Sequence, residues 1–217
     1  MRIWLIRHGL STGNEEKIMQ GLHDYPLAHE GRTQARIVGR HLAAREARPN
    51  VIYASPLTRT RETAELIVGR LAQPTPPIEY HEALREIDVG RLSGLTLKEI
   101  RRRYPDFFRV NPHGWLNFQP WGGQDADVYF HALYRWMDEL TRDWDFNGRR
   151  SVAFIVHGIT IRALYSYLFN ERESRQMHLR LGNCVTLELH FEGKGTGLKR
   201  KLVSMLPVEE MNPEGLP

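Results

Sequence analysis

The chain has 217 residues, 41% hydrophobic and 26% charged, with a formal net charge of +4. That length suits one domain around a single core, and the apolar content is too high for a disordered chain. No apolar run approaches the roughly 20 residues a bilayer crossing needs, so no membrane span is expected. The apolar stretch after Met1 stops at Arg7-His8, too short for a signal-peptide core. One cysteine, Cys184, permits no internal disulfide, which fits a reducing compartment; a soluble cytoplasmic protein is the expectation. Arginine outnumbers lysine 25 to 5. The arginines are spread along the chain rather than gathered in a stripe, and a GC-rich genome gives the same bias, so no nucleic-acid partner is expected.

Ile3-Trp4-Leu5-Ile6 reads as a strand apolar on both faces, as in a parallel sheet. Ala35, Val38, Leu42 and Ala43 then keep helical spacing. Val51-Ile52-Tyr53-Ala54 reads as a second strand, followed by helical spacing at Ala64, Ile67, Val68 and Leu71. Thr96-Leu-Lys-Glu99 reads as a capping box opening a short helix that Pro105 closes, with Arg101-Arg102-Arg103 on its solvent side. From Pro105 to Gly123 periodicity disappears, while Phe107, Phe108, Trp115, Phe118 and Trp121 argue against disorder. This segment is expected to be a lid-like loop roofing a pocket.

Tyr129, Leu133, Trp136, Leu140 and Trp144 mark one face of a long helix, Val152 to Val156 a further strand, and Val185 to Leu189 another. The last is expected at an exposed sheet edge where a second subunit could pair, which leaves a homodimer open. Residues 1–206 are expected to form one domain and 207–217 a loose tail. Strands alternating with helices predict an α/β fold with a mostly parallel central sheet.

Ligand sites in such sheets lie at the carboxyl ends of the strands. The first strand runs into Arg7-His8-Gly9, the second into Ser55-Pro56-Leu57-Thr58-Arg59, and the third into His157-Gly158. Two histidines and two arginines therefore converge on one edge. That set suits phosphoryl chemistry without a metal: a neutral imidazole can attack phosphorus, and guanidinium groups can hold the non-bridging oxygens. A second histidine, if protonated, would add a donor. No His-Glu-x-x-His or similar ligand spacing occurs, so neither a metal nor an organic cofactor is implied.

Arg7-His8-Gly9 with Ser11 and Asn14 resembles the opening signature of the histidine phosphatase superfamily, also called phosphoglycerate-mutase-like. Four later blocks match in order: Gly21 with Pro26-Leu27, Gly31 and Gln34-Ala35; Ser55 to Arg59 with Thr63-Ala64; Leu84 to Gly90; and Val156-His157-Gly158 with Ile161-Arg162. The resemblance implies a three-layer α/β/α sandwich. It implies His8 as the nucleophile and Arg7, Arg59 and His157 as a clamp on the phosphoryl oxygens. Glu86 would be the acid for the leaving group and the base for water, with a pKa raised above its usual value. Asn14 and the Gly158 amide would complete the phosphate cradle, with Ser11, Gln20 and Gly21 near the substrate.

The residues also allow plainer roles. Ser11 and Asn14 could simply cap the following helix, and Asp88 or Glu82 could hold the place given to Glu86. Leu10, Ala28, Ser93 and Gln124-Asp125 depart from the pattern without removing a chemical group from the mechanism. The segment between the acid block and the second histidine is shorter than in phosphoglycerate mutases. That favours a phosphatase acting on a small phosphate ester, with a cofactor-dependent mutase as the alternative. A non-catalytic phospholigand- or protein-binding member is a third reading, opposed by the presence of both His8 and Glu86.

Overall fold

A computed structural model describes residues 1–45, 48–111, 116–146, 148, 150–171, 179–193 and 197–211. Strand β1 (Arg2–Arg7) buries Ile3 and Leu5 on one face and Trp4 and Ile6 on the other. A continuous apolar run is stable there because helices cover both sides. The remaining strands are β2 (Ile18–Met19), β3 (Val51–Ala54), β4 (Ile78–Tyr80), β5 (Leu95–Thr96), β6 (Ser151–Val156), β7 (Thr186–Glu192) and β8 (Lys199–Leu206). Six of them form the main sheet in the order β4-β3-β6-β1-β7-β8. The first four in that order run parallel, and β7 pairs antiparallel with both β1 and β8. A two-stranded ribbon pairs β2 with β5.

Helices α2 (His29–Ala44) and α3 (Thr58–Val68) pack Ala35, Val38, Leu42, Ala64 and Ile67 onto one face of the sheet. Helices α6 (Ala126–Thr141) and α7 (Gly158–Phe169) bury Phe130, Leu133, Met137, Ile161 and Leu164 on the other. This is the expected three-layer α/β/α sandwich. Asp125 caps α6 by accepting a bond from the Asp127 amide at 2.8 Å. On the short helix α4 (Leu97–Arg103), Thr96 Oγ1 accepts from the Glu99 amide while Glu99 Oε2 accepts from the Thr96 amide, closing the capping box. Arg101, Arg102 and Arg103 are exposed on that helix. Between β1 and β2 lies the one-turn helix α1 (Thr12–Glu15).

Three expectations are corrected. Strand β7 lies between β1 and β8, so the apolar 185–189 segment offers no free edge to a second subunit; β8 forms that edge. The described part of the segment from Pro105 to Gly123 is not an irregular loop throughout. It holds the short helix α5 (Phe107–Val110) and a 3-10 turn at Gln119–Trp121, and Phe107, Phe118 and Trp121 are buried in the core. Trp115 lies outside the described residues. Finally, Val208–Met211 form a 3-10 turn with Val208 buried against the α2 layer, so a loose tail does not begin at 207; residues 212–217 lie outside the described residues. No helix among the described residues is long and apolar enough to cross a membrane.

Candidate active site

The carboxyl ends of β1, β3 and β6 bring His8, Ser55 and His157 to one edge of the sheet. His8 is 3% exposed. Its Nδ1 lies 2.7 Å from the Gly9 carbonyl oxygen, which can only accept, so Nδ1 carries the ring proton. Nε2 is thereby left with its lone pair free. Burial, together with Arg7 and Arg59, pushes the His8 pKa well below its usual value and keeps the ring neutral.

The Gly9 peptide is itself held in place. Its amide donates to Thr63 Oγ1 at 3.1 Å, and Asn183 Nδ2 reaches the carbonyls of His8 and Gly9 at 3.2 and 3.3 Å and Asn14 Oδ1 at 3.1 Å. The loop passes so close to α2 that a Cβ on Gly9 would collide with the Gly31 carbonyl oxygen. Glycine is required there by the approach of two backbones. Asn183 escapes a reading of the sequence because its partners are some 170 residues away.

Arg59 is 1% exposed and fixed by three bonds: Nε to His157 Nδ1 at 3.2 Å, and its two terminal nitrogens to the carbonyls of His23 at 2.9 Å and Gly21 at 2.8 Å. A guanidinium has five N–H groups, so these bonds leave others for an anion. Gly21 offers its carbonyl from a left-handed conformation, φ +53°, which glycine adopts at low cost. Burial lowers the Arg59 pKa to about 10, opposed by Glu86 and Asp24. Arg7 donates through one terminal nitrogen to the Leu181 carbonyl, and its buried Nε has no hydrogen-bond partner among the described residues. An unsatisfied buried guanidinium N–H is what an anion site leaves for its ligand.

His157, at the end of β6, contacts Arg59, Ser55 and His8. It is 1% exposed, accepts from Arg59 at Nδ1, and therefore carries its proton on Nε2, which lies 2.9 Å from Ser55 Oγ. Burial and the neighbouring Arg59 keep it neutral. Both ring nitrogens are engaged, one with Arg59 and one with Ser55, and the ring centroid lies 5.3 Å from that of His8.

Glu86 projects from the loop after β4 into the same cavity as His8, Arg7 and Arg59. Its Oε2 lies 3.4 Å from the Ile159 amide in the first turn of α7, and its Oε1 lies 3.2 Å from the Ile87 amide and 3.5 Å from Thr160 Oγ1. Tyr129 backs this group: its hydroxyl donates to the Arg85 carbonyl and sits 2.7 Å from Thr160 Oγ1. Burial raises the Glu86 pKa, with Arg59, the two amides and Arg7 pulling the other way. Neither rival carboxylate reaches the cavity. Asp88 accepts from the Gly90 amide, and Glu82 pairs with Arg85 at 2.9 Å.

The cavity measures about 210 Å³ and is also lined by Asn14, Gln20, Gly21, Ile18, Met19, Ile87, Val89, Leu116, Phe118 and Ile159. Ser11 is fully buried behind it. It caps α1 in a box with Asn14, and its hydroxyl lies 3.0 Å from Gln20 Oε1, so its contact with the site runs through Asn14 and Gln20. Gly158 opens α7, whose N-terminal amides and dipole favour an anion. A Cβ there would meet only Arg162 at 3.6 Å and Arg7 Nε at 3.9 Å, so space beside Arg7 stays open.

A family model of the histidine phosphatase superfamily, branch 1, matches residues 3–203. The chain belongs to this superfamily. It is 34% identical to a 2,3-bisphosphoglycerate-dependent phosphoglycerate mutase of Bradyrhizobium diazoefficiens over 76% of this chain and 79% of that protein. It is 29% identical to a broad-specificity phosphatase of Saccharomyces cerevisiae, covering 86% of this chain and 78% of that one. Among solved structures, a mycobacterial glucosyl-3-phosphoglycerate phosphatase superposes with a TM-score of 0.74 at 26% identity, over 93% of this chain and 96% of that chain. Histidine phosphatase relatives of this chain thus include both hydrolases and mutases.

Proposed function

We propose that this protein is a phosphomonoesterase that hydrolyses a small phosphorylated metabolite through a phosphohistidine on His8, with Glu86 as general acid and base. The observation that carries this reading is the 2.7 Å contact between His8 Nδ1 and the Gly9 carbonyl. It fixes the tautomer with Nε2 free, on a ring kept neutral, in the cavity that also holds Glu86 with a raised pKa. In the first step His8 Nε2 bonds to phosphorus as the ester P–O bond breaks, and the Glu86 carboxyl gives its proton to the leaving oxygen. In the second, the Glu86 carboxylate takes a proton from water, the water oxygen bonds to phosphorus and the P–N bond breaks. Inorganic phosphate leaves, with His8 neutral and Glu86 protonated again.

Arg7 and Arg59 hold the non-bridging oxygens and offset charge developing in flight. Asn14 and the Gly158 amide close the cradle, Gln20 and Gly21 border the substrate, and His157 and Ser11 support from behind. Hydrolysis is favoured over mutase action by the charge of the walls. The only cations lining the cavity among the described residues are Arg7 and Arg59, both beside His8. A mutase must also grip a substrate carboxylate and keep water out.

Phosphate release from p-nitrophenyl phosphate near pH 6, with EDTA present, tests the reading on wild type and His8→Ala. Activity that survives EDTA and disappears in the variant is expected. Equal activity in the two proteins would overturn it. The curated mutase relatives favour phosphoglycerate mutase as the second reading, which 2- and 3-phosphoglycerate interconversion primed by 2,3-bisphosphoglycerate would reveal.

A further inference from the structure

Resting on the phosphomonoesterase reading, we infer that the substrate's leaving group is uncharged and apolar where it departs from phosphorus, an alkyl or aryl alcohol rather than a phosphorylated hydroxy acid. The cavity is lined by two chemically distinct sets of side chains. Arg7, Arg59 and His8 are the basic set. Asn14, Gln20, Gly21 and Glu86 add polar lining, and the rest of the wall is Ile18, Met19, Ile87, Val89, Leu116, Phe118 and Ile159, drawn from the β2 ribbon, the acid loop, the 116–118 segment and the first turn of α7. No cation stands among them within the described residues.

A carboxylate or second phosphate placed there would lose its hydration without gaining a partner, which is costly. An alkyl chain would gain from the same surface. The cavity on the other side of Glu86 supplies no counter-ion either. Its one cation among the described residues, Arg85, lies 2.9 Å from Glu82. The walls are firm as well: Val89 is 3% and Phe118 1% exposed, and Phe118 stacks on Phe107 with ring centroids 6.1 Å apart. A preformed apolar wall selects by shape and polarity without paying for reorganisation.

The test compares kcat/KM for ethyl, butyl and hexyl phosphate with that for 3-phosphoglycerate. Alkyl phosphates are used because their leaving groups resemble one another in basicity, so differences report binding. Each methylene reaching the wall should raise kcat/KM by about fourfold, as burial of a methylene predicts. 3-Phosphoglycerate should fall at least tenfold below hexyl phosphate. Leu116→Arg, which places a cation at a partly exposed wall position, should shift the ratio toward 3-phosphoglycerate by at least tenfold. A flat chain-length series, or a wild-type preference for 3-phosphoglycerate, overturns the apolar subsite while leaving hydrolysis through His8 intact. Phosphoglycerate interconversion without phosphate release from any monoester overturns both. The wild-type series decides the question even where Leu116→Arg fails to fold.

Discussion

At the carboxyl edge of the parallel strands, Arg7 and Arg59 are held by backbone carbonyls and lie beside a neutral histidine and a carboxyl of raised pKa. At the amino edge, Arg2, Arg48 and Arg150 line a cavity of about 300 Å³, larger than the one at His8, yet all three are exposed. That cavity contains neither a histidine nor a carboxylate among its described lining residues. On the proposed reading, neither volume nor positive charge marks the reaction site. What differs is the chain direction: strands end at the carboxyl edge in loops that lead to helix N-termini, where amides and dipoles face an anion. Burial at that edge then does the electrostatic tuning.

The sharpest way to break this comparison is to substitute one residue at each edge. His8→Ala should lower kcat by a factor on the order of 10⁴ or more, because the nucleophile is gone. Arg150→Ala at the other edge should leave kcat/KM within about twofold. Comparable losses would erase the distinction. Next in size, Arg59→Ala should lower kcat/KM by a factor of about 10² to 10³. Arg59→Lys should recover little, since an ammonium cannot bond His157, His23 and Gly21 and still meet a phosphoryl oxygen.

Glu86→Gln should cost about a hundredfold on an alkyl ester and far less in the first turnover of p-nitrophenyl phosphate, whose leaving group needs no proton. The pH profile follows from the same two groups. His8, with its depressed pKa, stays neutral into acid, whereas Glu86, with its raised pKa, keeps its proton until pH climbs through that value. The kcat/KM optimum should therefore lie on the acidic side, with an alkaline decline that Glu86→Gln removes. A decline unchanged in that variant would assign it to another group. Smallest is Asn183→Ala, expected to lower kcat about tenfold with little change in KM by loosening the Gly9 carbonyl that orients His8. An unaltered kcat would show that Thr63 and the Gly31 contact hold the loop unaided.

Sequence reading brought His8, Ser55 and His157 to one sheet edge because strand ends are easy to see: uninterrupted runs such as Ile3 to Ile6 and Val152 to Val156 stop where polar residues begin. It did less well wherever side chains hold backbone over a distance. Asn111, buried, accepts from the Asn117 amide through its side-chain oxygen and donates to the Phe107 and Asn117 carbonyls. Those bonds let an aperiodic segment bury Phe107, Phe118 and Trp121 in the core while Leu116 and Phe118 also line the cavity. Strand β8 escaped notice because KRKLVSML alternates weakly and is polar on one face, and without it β7 looked like an edge. Ser11 and Asn14 satisfied two readings at once, and only coordinates show Asn14 at the cavity and Ser11 behind it.

The central claim is that phosphorus passes through His8 Nε2. The most direct measurement is to mix Glu86→Gln with p-nitrophenyl phosphate, quench under alkaline conditions that preserve phosphohistidine, and map the modified peptide by mass spectrometry. The account predicts a burst of one nitrophenol per active site and a phosphoryl group on His8, with slow turnover afterwards. A burst with the phosphoryl group on any other residue, or steady hydrolysis with His8 unmodified throughout, would contradict it.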